Sequence, residues 1–248
     1  MSVAGLDFAY PDAGAVLRDV AFEVGPGERI GLVGPNGAGK SSLLLLIAGA
    51  LRPGRGRLAL DGAELVPGRF RPQVALVFQE AEDQLFCPTV AEDVAFGARN
   101  LGLGGDALKD RVEAALQTVG LAHLADRPVH HLSGGEKRLT CIAGALVMQP
   151  RLLLYDEPSA GLDLRNRRRL IELLRSCEQT MLVASHDLEL LLEVCPRVLL
   201  LDRGRVVADG PSAAVLADGE LMAAHGQEVP GSLAGGAAGA RVRHRAAG

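Results

Sequence analysis

The stretch Gly34-Pro-Asn-Gly-Ala-Gly-Lys-Ser41 decides the fold. It fits the pattern GxxxxGK[ST], follows the apolar run Arg29–Val33 and opens the helical run Leu43–Ala50, which is the context that a phosphate-binding loop requires. Glycines let the backbone wrap closely around phosphates, and a helix N-terminus adds partial positive charge. Lys40 can neutralise the β- and γ-phosphate oxygens, and Ser41 can hold Mg²⁺. The loop therefore predicts a nucleoside triphosphate site between a strand and a helix.

A second motif ends in two adjacent carboxylates. The run Leu152-Leu-Leu-Tyr-Asp156 is typical of a buried strand, and Glu157 follows it directly. Because side chains alternate along a strand, the two acids point to different sides of its end. Asp156 is then suited to hold Mg²⁺, and Glu157 to orient and deprotonate an attacking water. The alternative, a solvated acidic turn, is disfavoured by the phosphate loop in the same chain.

Short runs typical of β-strands alternate with helical patterns along the chain. They cover Val3–Phe8, Ala21–Val24, Arg29–Val33, Arg57–Leu60, Val74–Phe78, Leu152–Asp156, Thr180–Ala184, Val198–Leu201 and Arg205–Ala208. Several are continuously apolar, which predicts a sheet buried on both faces; the runs before Arg29 and the hairpin at 202–204 indicate antiparallel additions. The 248 residues, 48% hydrophobic with 31 glycines, therefore predict an α/β protein with a mixed sheet and an antiparallel β edge.

Helical patterns without a good strand fill the segment from about 84 to 149, which predicts a helical subdomain inserted between two sheet strands. Within it, Asp106 is expected to cap a helix over 107–119 that ends at Gly120. Residues 1–225 are expected to form one nucleotide-binding domain. From Gly226 the composition turns to Gly and Ala with a few Arg, so 226–248 is predicted to be a flexible tail.

Charge and hydropathy argue against several classes of protein. The formal net charge of −4 gives no global basic field for a nucleic-acid backbone, so no nucleic-acid partner is expected. The longest nearly unbroken apolar run covers only residues 43–51, whereas a spanning helix needs about 20 residues. The start Met1-Ser2-Val3 is not expected to open a signal peptide. We therefore expect a soluble protein of the cytosol.

The run Leu132-Ser-Gly-Gly-Glu136 carries a second signal for phosphate. Ser133 and Glu136 have the spacing of a capping box at the start of a helix that runs to about Leu146. The two glycines cost helix stability, about 1 kcal/mol each relative to Ala, but they leave bare N–H groups that an anion can approach. One chain with two such helix ends and one lysine-bearing loop predicts a dimer in which each subunit closes the other's nucleotide.

These motifs together resemble a known family. Gln79 after the run Val74–Phe78, LSGGE at 132–136, the turn Ser159-Ala-Gly-Leu-Asp163 and His186 after Thr180–Ser185 are similar to the ABC transporter ATPases over about residues 3–216. The resemblance implies the P-loop NTPase core of the ABC ATPase type, with ATP and Mg²⁺ as cofactors. Glu136, where the family most often has Gln, and Ser159, where Thr is usual, are mild departures, so an active ATPase is expected.

The resemblance also assigns roles by position. Tyr10 resembles the aromatic residue that stacks on adenine, and Asp163 lies in the turn that communicates across the dimer. Ser133, Gly134 and Gly135 would hold the γ-phosphate bound to the partner. The expected nucleotide-binding residues are Tyr10, Gly34, Pro35, Asn36, Gly37, Ala38, Gly39, Lys40, Ser41, Ser42, Ser133, Gly134, Gly135 and Asp163. The expected catalytic residues are Glu157, His186 and Gln79, and the expected Mg²⁺ ligands are Ser41, Gln79 and Asp156.

The segment 78–97 and the text around His130-His131 resemble the energy-coupling-factor importers, especially their cobalt or nickel ATPases. This implies a transmembrane coupling subunit, a substrate-capture membrane protein, a second ATPase subunit that is a copy or a homologue, and a peripheral place on the cytoplasmic face of the membrane. Leu85 and Phe86 would contact the coupling subunit, or alternatively they seat the helical subdomain. Adjacent histidines in an extended loop point apart, so no metal site is expected there.

Two alternatives remain open at this stage, and a third fails. A biotin or other vitamin importer of the same class, or another ABC transporter, is the nearest rival. An ABC ATPase that acts on nucleic acid or ribosomes is disfavoured, since the chain lacks a long coiled coil, a second nucleotide domain and a basic stripe. A P-loop kinase for a small molecule would leave LSGGE and the 159–163 turn without a task.

Overall fold

The computed structural model of the chain describes residues 1–12, 14–66 and 71–234. These residues form two β-sheets and eight α-helices, connected by turns and short 3₁₀ segments. The strands are β1 (Ser2–Ala9), β2 (Ala15–Glu23), β3 (Arg29–Val33), β4 (Arg55–Leu60), β5 (Ala63–Glu64), β6 (Val74–Val77), β7 (Leu152–Asp156), β8 (Thr180–Ala184), β9 (Arg197–Asp202) and β10 (Arg205–Pro211). The helices are α1 (Lys40–Ala48), α2 (Val90–Asn100), α3 (Gly105–Thr118), α4 (Gly134–Leu146), α5 (Leu164–Ser176), α6 (Leu188–Val194), α7 (Ser212–Ala217) and α8 (Gly219–Ala224).

The larger sheet has six strands in the order β10-β9-β3-β8-β7-β6. The strands from β9 to β6 run parallel, and β10 pairs antiparallel with β9 at one edge. Strands β3, β7 and β8 have the bounds that their continuous apolar runs predict. The predicted α/β class, with a mixed sheet and an antiparallel edge, is confirmed.

The early strands build a separate sheet. Strands β2, β1, β4 and β5 pair antiparallel in that order, so they do not extend the larger sheet as additions to its edge. One apolar core joins this small sheet to α1 and to one face of the larger sheet. Strand β5 has two exposed residues and no apolar alternation, which explains why the sequence does not reveal it.

The helices between β6 and β7 pack on the other face of the larger sheet, around a second apolar core. There α2, α3 and α4 contact one another. Helix α3 begins at Gly105 with Gly104 in extended conformation at its N-cap, so the predicted cap at Asp106 is wrong. Asp106 lies in the first turn of α3, where a carboxylate interacts favourably with the helix dipole. Its Oδ1 lies 3.4 Å from Lys109 Nζ.

The chain after α8 packs back onto the body. The backbone N–H of Ser232 donates to Glu189 Oε1 over 2.9 Å, and its hydroxyl donates to Oε2 over 2.6 Å. Pro230 is buried, and Leu233 packs against the second core. Residues of the segment 226–234, the first part of the predicted tail, therefore contact the body, and the rest of that predicted tail, 235–248, lies outside the described residues. Among the described helices, none has the length and apolarity to cross a bilayer.

Candidate nucleotide site

A cleft of about 840 Å³ opens at the carboxyl ends of β3, β7 and β8. Parallel strands bring the residues that follow them to one edge of a sheet, which is where ligands bind in open α/β sheets. The residues that line the cleft are Tyr10, Val16, Asn36, Gly37, Ala38, Gly39, Lys40, Ser41, Ser42, Gln79, Asp156, Glu157, Ser159, Ala160, Leu162, Arg167, His186 and Asp187. Loop 34–41, both carboxylates of the 156–157 pair and the residues from two later loops therefore meet in one place.

The loop at 34–41 needs glycine at two of its positions. Gly34 has φ +151°, and a Cβ there would lie 2.0 Å from the carbonyl oxygen of Leu201. Gly39 has φ +105°, and its Cβ would lie 2.6 Å from Leu17 Cδ2. Both conformations are ones that other residues rarely adopt. The loop thus wraps tightly and leads directly into the N-terminus of α1, where free N–H groups favour an anion.

Lys40 is held inside this loop. Its side chain is buried, with 7% of the residue exposed, and Nζ donates to the carbonyl oxygens of Gly34 over 2.6 Å and Pro35 over 3.1 Å. The same Nζ lies 3.4 Å from His186 Nε2. Burial lowers the pKa of Lys40, while the two carboxylates at the end of β7 act to raise it. The ammonium is therefore oriented along the loop, next to the carboxylates.

Glu157 has an unusual backbone and side-chain environment. Its φ is +47°, and its N–H donates to Ala184 O over 2.9 Å. Oε2 accepts from the His186 N–H at 3.0 Å and from the Ser185 hydroxyl at 3.4 Å. Oε1 is buried, has no hydrogen-bond partner among the described residues and lies 3.5 Å from His186 Nε2. One oxygen is thus anchored while the other stays free to accept a proton, at the cost of an unsatisfied buried acceptor.

The donor set in the cleft fits Mg²⁺. Asp156 is buried at the end of β7, and it shares the cleft with the hydroxyl of Ser41 and the amide of Gln79. All three offer oxygen ligands, which Mg²⁺ prefers, and Mg²⁺ is commonly bound by one or two carboxylates together with phosphate oxygens. The described part of the chain contains no cluster of three or more His, Cys, Asp or Glu side chains that could hold a metal on its own.

The backbone of Gln79 is held by Arg138, a residue that is far from it in the sequence and was not expected to belong to the site. Arg138 lies on α4, is 4% exposed, and donates through its two Nη atoms to the carbonyl oxygens of Phe78 and Gln79. Burial lowers the pKa of its guanidinium. The residues next to Arg138 in the sequence do not predict this contact, because it joins residues about 60 positions apart.

Tyr10 lies at the rim of the cleft. Its hydroxyl is 3.2 Å from Ser42 Oγ, and its ring packs edge-on against Phe8 with centroids 4.8 Å apart. Val16 lines the same part of the cleft. The exposed tyrosine face and the valine side chain thus form an apolar ledge beside the loop 34–41.

Six predicted site residues do not line the cleft: Gly34 and Pro35, which begin the phosphate-binding loop, and the more remote Ser133, Gly134, Gly135 and Asp163. Ser133 caps α4 in a capping box, as its spacing predicts, and Gly134 leaves open space where a Cβ would point. Gly135 packs closely against Asn166, and Asp163 caps α5. Within one chain, Ser133, Gly134, Gly135 and Asp163 therefore do not line the cleft that contains Lys40 and Glu157.

Two further residues of the cleft, Arg167 and Asp187, were not expected from the sequence. Asp187 caps α6 through a hydrogen bond from the Leu190 N–H at 3.0 Å. The N-cap spacing of an Asp before an apolar helical run is a signal that could have identified it. Arg167 lies in a run of arginines on α5, where nothing in the sequence separates it from its exposed neighbours.

The family model described as ABC transporter matches residues 17–160. The cobalt import ATP-binding protein CbiO of Rhodobacter capsulatus is 44% identical over 238 residues, which cover 93% of this chain and 85% of that protein. The energy-coupling factor transporter ATP-binding protein EcfA of Methanothermobacter thermautotrophicus is 41% identical over 227 residues, which cover 88% of this chain and 72% of that protein.

Among solved structures, CbiO1 of Clostridium perfringens, described as part of the ABC transporter complex cbiONQ, superposes with a TM-score of 0.80 at 35% identity. The match covers 90% of this chain and 92% of that chain. The similarity therefore extends over nearly the whole fold, the helices between β6 and β7 included.

Proposed function

We propose that this chain, which belongs to the ABC transporter family and is one of its ATPases, powers an energy-coupling-factor importer for cobalt or nickel ions. The observation that carries the hydrolytic part is the free, buried Oε1 of Glu157 in the same cleft as Lys40. The importer class is supported by the similarity to CbiO and EcfA along most of their length.

In this proposal the cleft binds ATP with Mg²⁺. The N–H groups of the loop 34–41 and the ammonium of Lys40 bind the phosphates, Ser42 adds a hydroxyl, and adenine stacks on Tyr10. Ser41, Gln79 and Asp156 would hold Mg²⁺, which neutralises charge that develops on the phosphate oxygens.

Hydrolysis then follows from the environment of Glu157. Its Oε1 takes a proton from a water whose oxygen forms a bond to the γ-phosphorus, while the bond from that phosphorus to the β–γ bridging oxygen breaks and ADP leaves. The His186 N–H holds Oε2, so the carboxylate keeps one orientation. The His186 ring lies next to Lys40 and faces the γ-phosphate, and Gln79 orients the water.

The cleft of one chain is incomplete, and a second ATPase subunit completes it. Ser133 and Gly134 are exposed at the start of α4, Gly135 next to them is buried, and none of the three lines its own cleft; we assign them to the γ-phosphate bound by the partner. Asp163 ends the turn 159–163, which in this proposal communicates between the two subunits. ATP thus closes a dimer of two copies, or of this chain with a homologue, and hydrolysis reopens it.

A second groove, of about 610 Å³, is the proposed contact with the transmembrane coupling subunit. Its lining includes Leu85, Phe86 and His130. Phe86 is 64% exposed and packs edge-on against exposed Phe96, whereas Leu85 is partly buried against the core. Both alternatives for this pair therefore have support: Leu85 seats the helical subdomain, and the exposed rings offer apolar area to a partner.

A pull-down from native membranes tests the proposal. A tagged Glu157→Gln variant with ATP should form a long-lived dimer and recover a multi-spanning coupling protein and a small capture protein, because it binds ATP without turning it over. Lys40→Ala is the matched control, since it should lose ATP and with it the ATP-dependent dimer. Recovery of only nucleic-acid or ribosomal proteins would overturn the transport role. Uptake of labelled cobalt, nickel and biotin by cells with and without the chain then identifies the cargo.

A further inference from the structure

A bidentate ion pair borders the cleft. Arg167 on α5 donates from Nε to Asp187 Oδ2 over 2.5 Å and from Nη2 to Oδ1 over 2.8 Å. Only about a quarter of either side chain is exposed, at 24% and 22%. A two-pronged pair of this kind restricts both position and orientation, which a single contact between flexible side chains does not.

Asp187 belongs to the three-residue loop 185–187 between β8 and α6. Its own N–H donates to Ser185 Oγ over 3.0 Å, and that hydroxyl lies 3.4 Å from Glu157 Oε2. The preceding N–H in the loop, that of His186, donates to the same Glu157 oxygen. The loop that Asp187 anchors is therefore the one that orients the Glu157 carboxylate.

Arg167, the other member of the ion pair, is connected to the turn 159–163. It lies in the first turn of α5, where its backbone N–H donates to Asp163 O over 2.8 Å. Asp163 is the N-cap of that helix and ends the turn 159–163. The ion pair thus joins the turn 159–163 to the loop 185–187 across the rim of the cleft.

Both partners of the pair are held in their charged forms. Burial acts to raise the pKa of Asp187, but hydrogen bonds from Arg167 and from the Leu190 N–H outweigh it and leave the pKa below its ordinary value. The hydrogen bonds to Asp187 raise the pKa of Arg167. The pair is therefore intact over the whole neutral range.

We infer that Arg167 and Asp187 are positioning residues for ATP hydrolysis: their ion pair holds loop 185–187 so that Glu157 keeps Oε1 free for water, and it links Glu157 to the turn 159–163. The inference rests on the proposed role of Glu157 as the base. It assigns no contact with nucleotide to either residue.

Steady-state hydrolysis and ATP binding by the purified full chain test the inference. Arg167→Met should lower kcat by about 100-fold, the loss expected when a reacting group moves by about 1 Å, and leave the KM and Kd for ATP within about twofold. Arg167→Lys keeps the charge but loses the fork, so it should recover part of kcat. Asp187→Asn keeps an oxygen for the N-cap, should lower kcat similarly, and should add little to Arg167→Met.

Arg168→Met is the matched control. Like Arg167, Arg168 lies on α5, and its Nη1 lies 2.6 Å from Oε2 of Glu193 on α6, the helix that Asp187 caps. Unlike Arg167, it does not line the cleft. Its kcat should equal that of the wild type. The inference is overturned if Arg167→Met keeps full kcat, or if its loss of kcat matches that of Arg168→Met. Glu157→Gln separates the two proposals: if that variant still hydrolyses ATP, the assignment of the base fails, whatever Arg167→Met does.

Discussion

Two capping boxes of nearly the same geometry allow the role of Ser133 to be separated from its effect on stability. In α4, Ser133 N and Oγ donate to Glu136 Oε2 over 2.7 and 2.8 Å. In α2, Thr89 N and Oγ1 donate to Glu92 Oε2 over 3.1 and 2.9 Å. We predict that Ser133→Ala and Thr89→Ala destabilise the fold equally and that only Ser133→Ala lowers ATP turnover.

The magnitudes follow from the contacts that each change removes. Loss of an N-cap side chain costs about 1 kcal/mol, which lowers the Tm of a chain of this size by about 2–4 °C in both variants. A hydrogen bond that the Ser133 hydroxyl donates to a phosphate on the partner subunit, in place of the one to Glu136, is worth about 1.5–3 kcal/mol, because the acceptor is charged. Its loss from the transition state should lower kcat roughly 10- to 100-fold, whereas Thr89→Ala should leave kcat unchanged.

The stability loss in Ser133→Ala should also depend on pH. Hydrogen bonds from the Ser133 N–H and hydroxyl lower the pKa of Glu136 from its ordinary 4.5. A carboxylate with a lowered pKa stabilises the fold above its ordinary pKa, and that contribution disappears as the pH falls through the lowered value. The difference in unfolding free energy between Ser133→Ala and the wild type should therefore be larger at pH 7 than at acid pH.

Thermal melts, urea unfolding at two pH values and steady-state hydrolysis measure these effects. Equal losses of kcat in the two variants would refute the reasoning, because a general loss of stability would then explain both. Full turnover by Ser133→Ala, with the expected fall in Tm, would remove Ser133 from the partner's phosphate site.

Three further changes test other parts of the structure. Lys40→Ala should weaken ATP binding about tenfold or more in equilibrium titration, because it removes the ammonium from the phosphate loop; unchanged affinity would contradict that assignment. Gly204→Ala places a Cβ 2.2 Å from Val16 O at φ +76°, so the unfolding free energy should fall by more than about 1 kcal/mol, and an unshifted urea midpoint would contradict this. Glu189→Ala removes both hydrogen bonds to Ser232, so limited proteolysis within 226–234 should accelerate at least about fivefold; wild-type rates would show that these bonds do not hold the segment.

The sequence predicts best what depends on local pattern. The continuous apolar runs of β3, β7 and β8 give their bounds, because a strand buried on both faces needs apolar residues throughout. The spacing of Ser133 and Glu136 gives the start of α4, because a capping box is formed within one turn. The glycines of the loop 34–41 likewise follow from backbone geometry that few other residues tolerate.

Features that depend on tertiary packing escape the sequence. The choice between one extended sheet and two separate sheets depends on how α1 packs between them. Arg167 is one of three consecutive arginines, and only the fold shows that it faces Asp187 while Arg168 faces Glu193. Residues 226–234 are rich in small and polar residues, yet Ser232 among them forms two hydrogen bonds to the distant Glu189.

Adjacent residues of α4 connect the two grooves of the molecule. Lys137 pairs with Glu82 in the groove proposed for the coupling subunit, and Arg138, the next residue, binds the carbonyl oxygen of Gln79 at the nucleotide cleft. Since α4 is a continuous helix whose N-terminus carries Ser133, we expect a displacement of the groove around Glu82 to move the Gln79 loop and the helix start at Ser133 together. On the proposed function, we expect movement of the coupling subunit and assembly of the hydrolytic site to be coupled through α4.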